Sequence, residues 1–469
     1  MTGAHQGRAF AAHGIGEAYA VAAFAKADLL GGFIREALLR NRARLYHRRL
    51  ERRTRHAALH YRHAISPFAI TVLNEAILFF ENIDFSSLEL PPAALKLRDE
   101  VRAFLRQEVA SGSFVPHLGH TEFDIDFTQK VAARGWIGLT WPRQYGGQER
   151  SYLERFVMTE EMLTVAAPCA AHWFGDRQTG PSLLRYGSEF LKQKYLPAIT
   201  RGEMAFALGM SEPGSGSDLA SVRTRAEKVE GGWRVTGQKV WTSWAHKADA
   251  FFVLCRTAPQ TDDRHHGLSQ LIVELKNTPG VTVRPIRFMS GDHHFNEVFL
   301  DNVFVPDTHV VGEAGQGWKQ ITSELALERS GPERFMTTFP LLVELIRRLG
   351  KSDDARAGEM VGRLTARLWT LRRMSLAIAL ALDPSSGKQG TVDLATEAAL
   401  VKDMGTFYER EIIDAARLLV AVEPTLDATE PFERYLAECI VSAPVATIRG
   451  GTTQVLRTLI ARRLLGALK

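Results

Sequence analysis

The sequence predicts a multi-domain α and β protein, with helical domains on either side of a β domain, and three stretches of pattern predict it. Pro91 to Glu203 has helical periodicity broken at Pro142, at Gly146-Gly147 and at Gly180-Pro181, which reads as several short packed helices. Ala207 to Pro306 then turns strand-like. AEKVE and WRVTGQK flank Gly231-Gly232, a two-residue hairpin signal, and the apolar runs FFVLC, LIVEL and NEVFL follow. From Trp318 onward long amphipathic stretches return, among them FPLLVELIRRLG, AGEMVGRLTARLWTLRRMSLAIALAL and LVKDMGTFYEREIIDAARLLVAV. Their apolar spacing is that of an antiparallel helical bundle.

Composition sets wider bounds. A chain of 469 residues with 45% hydrophobic content can bury a substantial core and suits two or three domains, a soluble globular class. Cys169, Cys255 and Cys439 lie far apart and make neither a metal-spacing pattern nor a disulfide framework, so a reducing compartment is the default. No run reaches membrane-spanning length, and no metal cluster, Ser-His-Asp set or Cys-His set is evident. The net charge of +5 is misleading: Arg35 to Arg62 holds ten arginines against two glutamates, a local +8, so the rest of the chain is net acidic. Nucleic-acid binding is therefore not expected of the main body.

That basic segment sits in residues 1–84, which also hold six of the fifteen histidines. A solvated leader, or a start site placed too far upstream, is the plainer account. An organelle presequence, an anionic membrane contact and a nucleic-acid arm are the functional ones. The expected location is cytoplasmic, or the mitochondrial matrix if the extension is a presequence. AITVLNEAILFF, Ala69 to Phe80, is too short to span a bilayer and reads as a packed helix.

The most informative segment is FALGMSEPGSGSD, Phe206 to Asp218, followed by GQKVWT, Gly237 to Thr242. Pro213, Gly214 and Gly216 break regular structure, and the serines and Asp218 offer short polar groups, so backbone can approach a flat polar ligand closely. The pair of motifs resembles the acyl-CoA dehydrogenase family of flavoenzymes, its middle-domain signature in MSEPGSGSD and its tryptophan motif in KVWTS. GWIGLTWPRQYGG from Gly135, YGSEFLKQKYLPAITRGE from Tyr186, FNEVFLDNVFVP from Phe295 and GQGW from Gly315 resemble the family in the same order, over Phe85 to Gly466. The resemblance implies that family's fold: a helical domain over 85–205, a β-barrel-like domain over 206–312 and a four-helix-bundle domain over 313–469. It implies FAD as cofactor, an acyl-CoA substrate oxidised between its α and β carbons, and an electron-transferring flavoprotein as acceptor.

By the same resemblance Met210 and Ser211 line the isoalloxazine edge, and Trp241 and Ser243 flank its other side. Against this, Trp241 could be a core aromatic and MSEPGSGSD a plain loop. Ser217 is a candidate thioester or CoA contact, or a loop serine capping its own backbone; Asp218 orders the loop. Gly451 and Thr452 approach the diphosphate side. In many family members the base is a glutamate near the carboxyl terminus, but here Arg449, Gly450, Gly451 and Thr452 stand in that motif, and Gly450 can offer only its amide. In the isovaleryl- and long-chain-type branch the base lies before an arginine on the first helix of the last domain, and that register gives Glu328 as base and Arg329 as its orienting partner. Spacing alone favours a plainer account, in which Glu324 and Glu328 join Arg329, Glu333 and Arg334 in one charged surface.

Two family elements that reach the adenine half of a neighbour's FAD, an arginine-x-x-phenylalanine-glycine motif and a glutamine-rich double-glycine loop, are not recognisable here. That leaves a homodimer or homotetramer open beside a heteromer with a related chain. The base position weakly favours bulky or branched acyl groups. His293 and His294 read as surface histidines beside a strand. The alternatives to a dehydrogenase are a flavin monooxygenase or oxidase on the same scaffold, a non-catalytic partner subunit, and a nucleic-acid-associated relative using the basic extension.

Overall fold

A computed structural model describes residues 89–118, 122–383 and 394–467, the side chains of 324–328, 464 and 467 excepted. The expectations for residues 1–84, including the Ala69 to Phe80 helix, lie outside the described residues.

The helices of the amino-terminal part start where their sequences say they should. α1 (Pro92–Ala110) carries proline at its first position, where no amide is missed, and buries Ala94, Leu97, Val101, Phe104 and Leu105, an i, i+3, i+4, i+7 stripe. α2 (Ile125–Ala133) begins with Asp124 accepting from the Phe127 amide, and α3 (Tyr152–Thr164) with a full capping box between Ser151 and Glu154. α4 (Ala170–Phe174) runs into a π-helical turn (Gly175–Thr179), then α5 (Gly180–Tyr186) and α6 (Glu189–Thr200). Trp136, Trp141 and Tyr195 pack with Phe206, Phe252 and Ile272 of the sheet in one core, so the helices and the sheet share their apolar contact.

Among the described residues seven strands make one sheet: β1 (Phe206–Gly209), β2 (Arg225–Val229), β3 (Gly232–Ser243), β4 (Ala250–Arg256), β5 (Leu268–Glu274), β6 (Val281–Arg287) and β7 (His293–Pro306). Their order is β1-β4-β2-β3-β7-β6, with β5 also paired to β4. β1 runs parallel to β4, and β2-β3, β3-β7, β4-β5 and β6-β7 are antiparallel. The hairpin turn between β2 and β3 is Glu230-Gly231, one residue earlier than Gly231-Gly232. Gly231 takes φ +73, while Gly232 already pairs with Val229 and with Pro306.

Helices resume with α7 (Gly317–Glu328), α8 (Phe339–Leu349), α9 (Ala355–Leu382), α10 (Ala395–Leu419), α11 (Pro431–Ala446) and α12 (Thr453–Ala467). α10 is the buried one: Ala398, Ala399, Val401, Gly405, Tyr408, Ile412 and Ala416 all lie inside. Gly405 is needed there, because a Cβ would come within 2.3 Å of the Arg334 carbonyl oxygen.

Candidate functional site

The small-residue loop leaving β1 is fixed from below. Lys239, at 0% exposure on β3, donates to Glu212 Oε1 at 2.8 Å and to the Met210 carbonyl at 3.2 Å. Glu212 also accepts from the Arg223 amide at 2.6 Å and the Thr224 amide at 2.9 Å. Burial pushes the Lys239 ammonium toward its neutral form, and Glu212 opposes that. Burial also favours the neutral form of Glu212, raising its carboxyl, yet Lys239 and the amides bring it net below the usual carboxylate range. Reciprocal amide bonds between Glu212 and Ser215, at 2.8 and 3.0 Å, close the turn through Pro213-Gly214.

Trp241 is aimed by a bulge. Between Lys239 and Thr242 strand β3 advances three residues while β7 advances two, from Val298 to Asn296, and Trp241 adopts φ +62. The indole is 56% exposed, with its edge against Phe295 at 5.8 Å, so it is not a core aromatic. The Val240 amide donates to the Ser211 carbonyl at 2.9 Å, which joins the two segments directly beside that ring. Met210, Ser211 and Ser243 are half-buried there. An exposed indole, an anchored loop edge and small polar groups together fit a flat ring system with polar margins.

α7 connects this edge to the expected base. Trp318 and Ile321 in its first half pack with Met210, Leu219, Val222, Leu254 and Leu268 in one cluster. Gly317 lies on the backbone of Leu268 and Ser269, and the Gly315 amide donates to Ser269 Oγ at 2.7 Å. Glu328 is the last residue of the helix. Arg329 follows as C-cap, buried, with Nε donating to the Gly450 carbonyl at 3.0 Å. Arg329, Glu333 and Arg334 are each 6% exposed, so the plainer expectation of a charged surface is corrected for these three. Glu333 pairs with the buried Arg177 of the π-helical turn, whose Nη2 also donates to Thr159 Oγ1 at 2.9 Å.

The double-glycine turn rests on cations. Gly450 (φ +66) and Gly451 (φ +101) both lie in conformations that favour glycine. A Cβ at Gly450 would stand 3.1 Å from Arg334 Nη1, and one at Gly451 3.1 Å from Arg329 Nη2. The start of the turn is held by Lys402, whose Nζ donates to the Ala446 carbonyl at 2.8 Å, with Thr406 Oγ1 at 3.3 Å from the same oxygen. Burial, then the positive neighbours Arg334 and Arg449, push the Lys402 ammonium down to about 8. Arg449 lies 3.9 Å from Glu409, which accepts from the Thr337 amide at 2.8 Å and hydroxyl at 2.5 Å. Thr452 caps α12 by accepting from the Val455 amide at 3.3 Å.

The structure thus brings Met210, Ser211, Trp241 and Ser243 together, and joins Arg329 to Gly450 and Gly451. Ser217 stands exposed on the loop, apart from the anchored edge. Asp218 binds Arg264 and Ser221. His294 is a correction: it is 5% exposed, stacked on Trp244 at 4.5 Å, and burial pushes it down to about 4. Sequence reasoning gave no site role to Lys239, Glu212, Arg334 or Lys402. The first two lie inside the quoted motifs; Lys402 was signalled only as a lysine on the apolar stripe of α10.

Comparison with known proteins gives matches to two family models, acyl-CoA dehydrogenase N-terminal domain over residues 91–203 and acyl-CoA dehydrogenase middle domain over 207–303. Acyl-CoA dehydrogenase IpdE1 of Mycobacterium tuberculosis is 34% identical over 387 residues, 79% of this chain and 97% of that protein. Acyl-CoA dehydrogenase FadE34 of the same organism is 35% identical over 345 residues, 72% of this chain, and the match spans 45% of its length. The solved Tcur3481-Tcur3483 steroid ACAD superposes with a TM-score of 0.68 at 28% identity, covering 82% of this chain and 99% of that one.

Proposed function

This chain belongs to the acyl-CoA dehydrogenase family, and we propose that it oxidises an acyl-CoA thioester between its α and β carbons with Glu328 as the base. FAD, the family's cofactor, supplies the acceptor for the β-hydrogen as hydride. The observation that carries the reading is the course of α7. Its first half packs with Met210, and its C-cap residue Arg329 holds Gly450, so Glu328 ends a helix fastened at both sides of one site.

Each residue then has a role in keeping with its placement. Met210, Ser211, Trp241 and Ser243 hold the ring, Gly451 and Thr452 the diphosphate side, and Ser217 the CoA approach. The Gly450 amide, on a turn that a side chain would crowd, donates to the thioester oxygen and favours loss of the α-proton. Glu328 takes that proton, with Arg329 orienting the helix end against the turn. The divisions at 84, 205 and 312 remain part of this reading. Likeness to the Tcur3481-Tcur3483 steroid ACAD supports a bulky acyl group and assembly with a second, related chain. The electrons pass to an electron-transferring flavoprotein.

The test is anaerobic addition of acyl-CoAs to purified FAD-loaded protein, with flavin bleaching followed by absorbance. Bulky acyl-CoAs should bleach it, and Glu328→Gln should slow bleaching by about 10³-fold. Equal bleaching of both proteins would reject Glu328. Fast reoxidation of the bleached protein by air would favour the oxidase or monooxygenase reading instead.

A further inference from the structure

We infer that Lys239 is a positioning residue that polarises the Met210-Ser211 peptide and so strengthens the Ser211 amide as a hydrogen-bond donor toward the flavin edge, an inference that rests on Ser211 lining that edge. The ammonium is wholly buried, and a buried ion pair is a poor fastener: an apolar pair of the same volume holds two segments at lower desolvation cost. Fastening is moreover already provided by the Val240 amide bonded to the Ser211 carbonyl, and by Met210 packed among Leu219, Leu254 and Ile321.

What a neutral or apolar fastener would not supply is charge at the Met210 carbonyl. The 3.2 Å bond from Lys239 Nζ ends on the oxygen of the peptide whose nitrogen belongs to Ser211. The peptide is conjugated, so drawing electron density toward its oxygen makes its N–H a stronger donor, and chains of hydrogen bonds polarise one another. In a trans peptide the N–H points away from the carbonyl. The Ser211 N–H therefore faces away from Lys239, and among the described residues it enters no backbone hydrogen bond. Glu212 keeps the ammonium protonated in its buried place. The result is a relay from a buried charge to one outward amide. Such a donor holds an electron-rich reduced ring better than an oxidised one, which raises the midpoint potential of the bound flavin.

The test separates this role from simple fastening. In Lys239→Met the midpoint potential of the FAD-loaded protein, measured anaerobically against a reference dye, should fall, and FAD retention should weaken roughly tenfold. Apoprotein melting should fall as well, since Glu212 is left unpaired. The double variant Lys239→Met with Glu212→Gln removes both charges. It should recover melting to near the wild-type value while keeping the lowered potential and weak retention. Recovery of all three would make Lys239 a fastener and sink the inference. Should the double variant not be obtained folded, Lys239→Gln keeps hydrogen-bonding capacity without the charge and carries the same test. Wild-type protein that retains no FAD would overturn the cofactor reading itself, a result distinct from a wild-type potential in the double variant.

Discussion

Below the β1 loop the buried charges form a matched pair, Lys239 with Glu212, whereas at the double-glycine turn Arg329, Arg334, Lys402 and Arg449 converge on one stretch of backbone. In the first region each charge has its opposite within 3 Å. In the second, Lys402 ends on the Ala446 carbonyl oxygen, and burial, then Arg334 and Arg449, push it toward neutrality against the opposing pull of Glu409 and Asp403. Removing Glu212 and removing Lys402 therefore have opposite consequences. A broken pair leaves an orphan, while a thinned cluster loses some of its repulsion.

The largest effect is therefore expected from Glu212→Gln, which strands the buried Lys239 ammonium without its counter-charge: about 3–5 kcal/mol of stability by denaturant titration. A loss below about 1 kcal/mol would show that the pair holds little, and would remove the contrast. Next comes acid, which tests a buried group that has to stay neutral. His172 is pushed down to about 4 by burial, an effect Asp176 opposes, and it bonds Thr128 Oγ1 at 2.9 Å. Its native value lies below the ordinary 6.5, so the unfolded chain binds this proton first. The stability it confers is present above pH 6.5 and is lost as pH falls toward 4, at most about 3 kcal/mol. His172→Gln should flatten that part of the stability profile; an unchanged slope would assign it to other groups.

Gly450→Ala should cost about 1–2 kcal/mol for its left-handed backbone. It should also raise KM for acyl-CoA, because the turn must move off Arg334; an unchanged KM would place Gly450 away from the thioester. The smallest effect is expected from Lys402→Met, within about 1 kcal/mol at pH 7, since the desolvation cost it relieves offsets the bond to Ala446. Below pH 8 the wild type bears that cost in full. Between pH 8 and 10.5 native Lys402 releases its proton before the unfolded chain does, so wild-type stability should rise relative to the variant. A large loss at pH 7 would make the two regions alike.

How much was legible in the sequence follows the same division. The small-residue loop after β1 and the tryptophan strand are contiguous motifs, so glycine, proline and alternation announce them, and the helix-sheet-helix order follows from periodicity. Even there the bulge at Trp241 escaped, because one extra residue in a strand changes no composition. The turn at Gly450 is assembled from Arg329 and Arg334 just beyond α7, Lys402 of α10 and Arg449 beside the glycines. No local window contains them, and each looks alone like an ordinary surface cation. His294 misled for the same reason: its burial is supplied by Trp244, fifty residues earlier in the chain.

The bulge also bears on how freely this protein can be altered. Trp241 is an added residue between Lys239 and Thr242, both buried, so its outward placement is independent of the two-faced alternation that the flanking strand must keep. Exchanging the indole for another ring leaves the packing beneath it untouched. That position is accordingly one where an exposed ring could be varied by an engineer at small expense to folding.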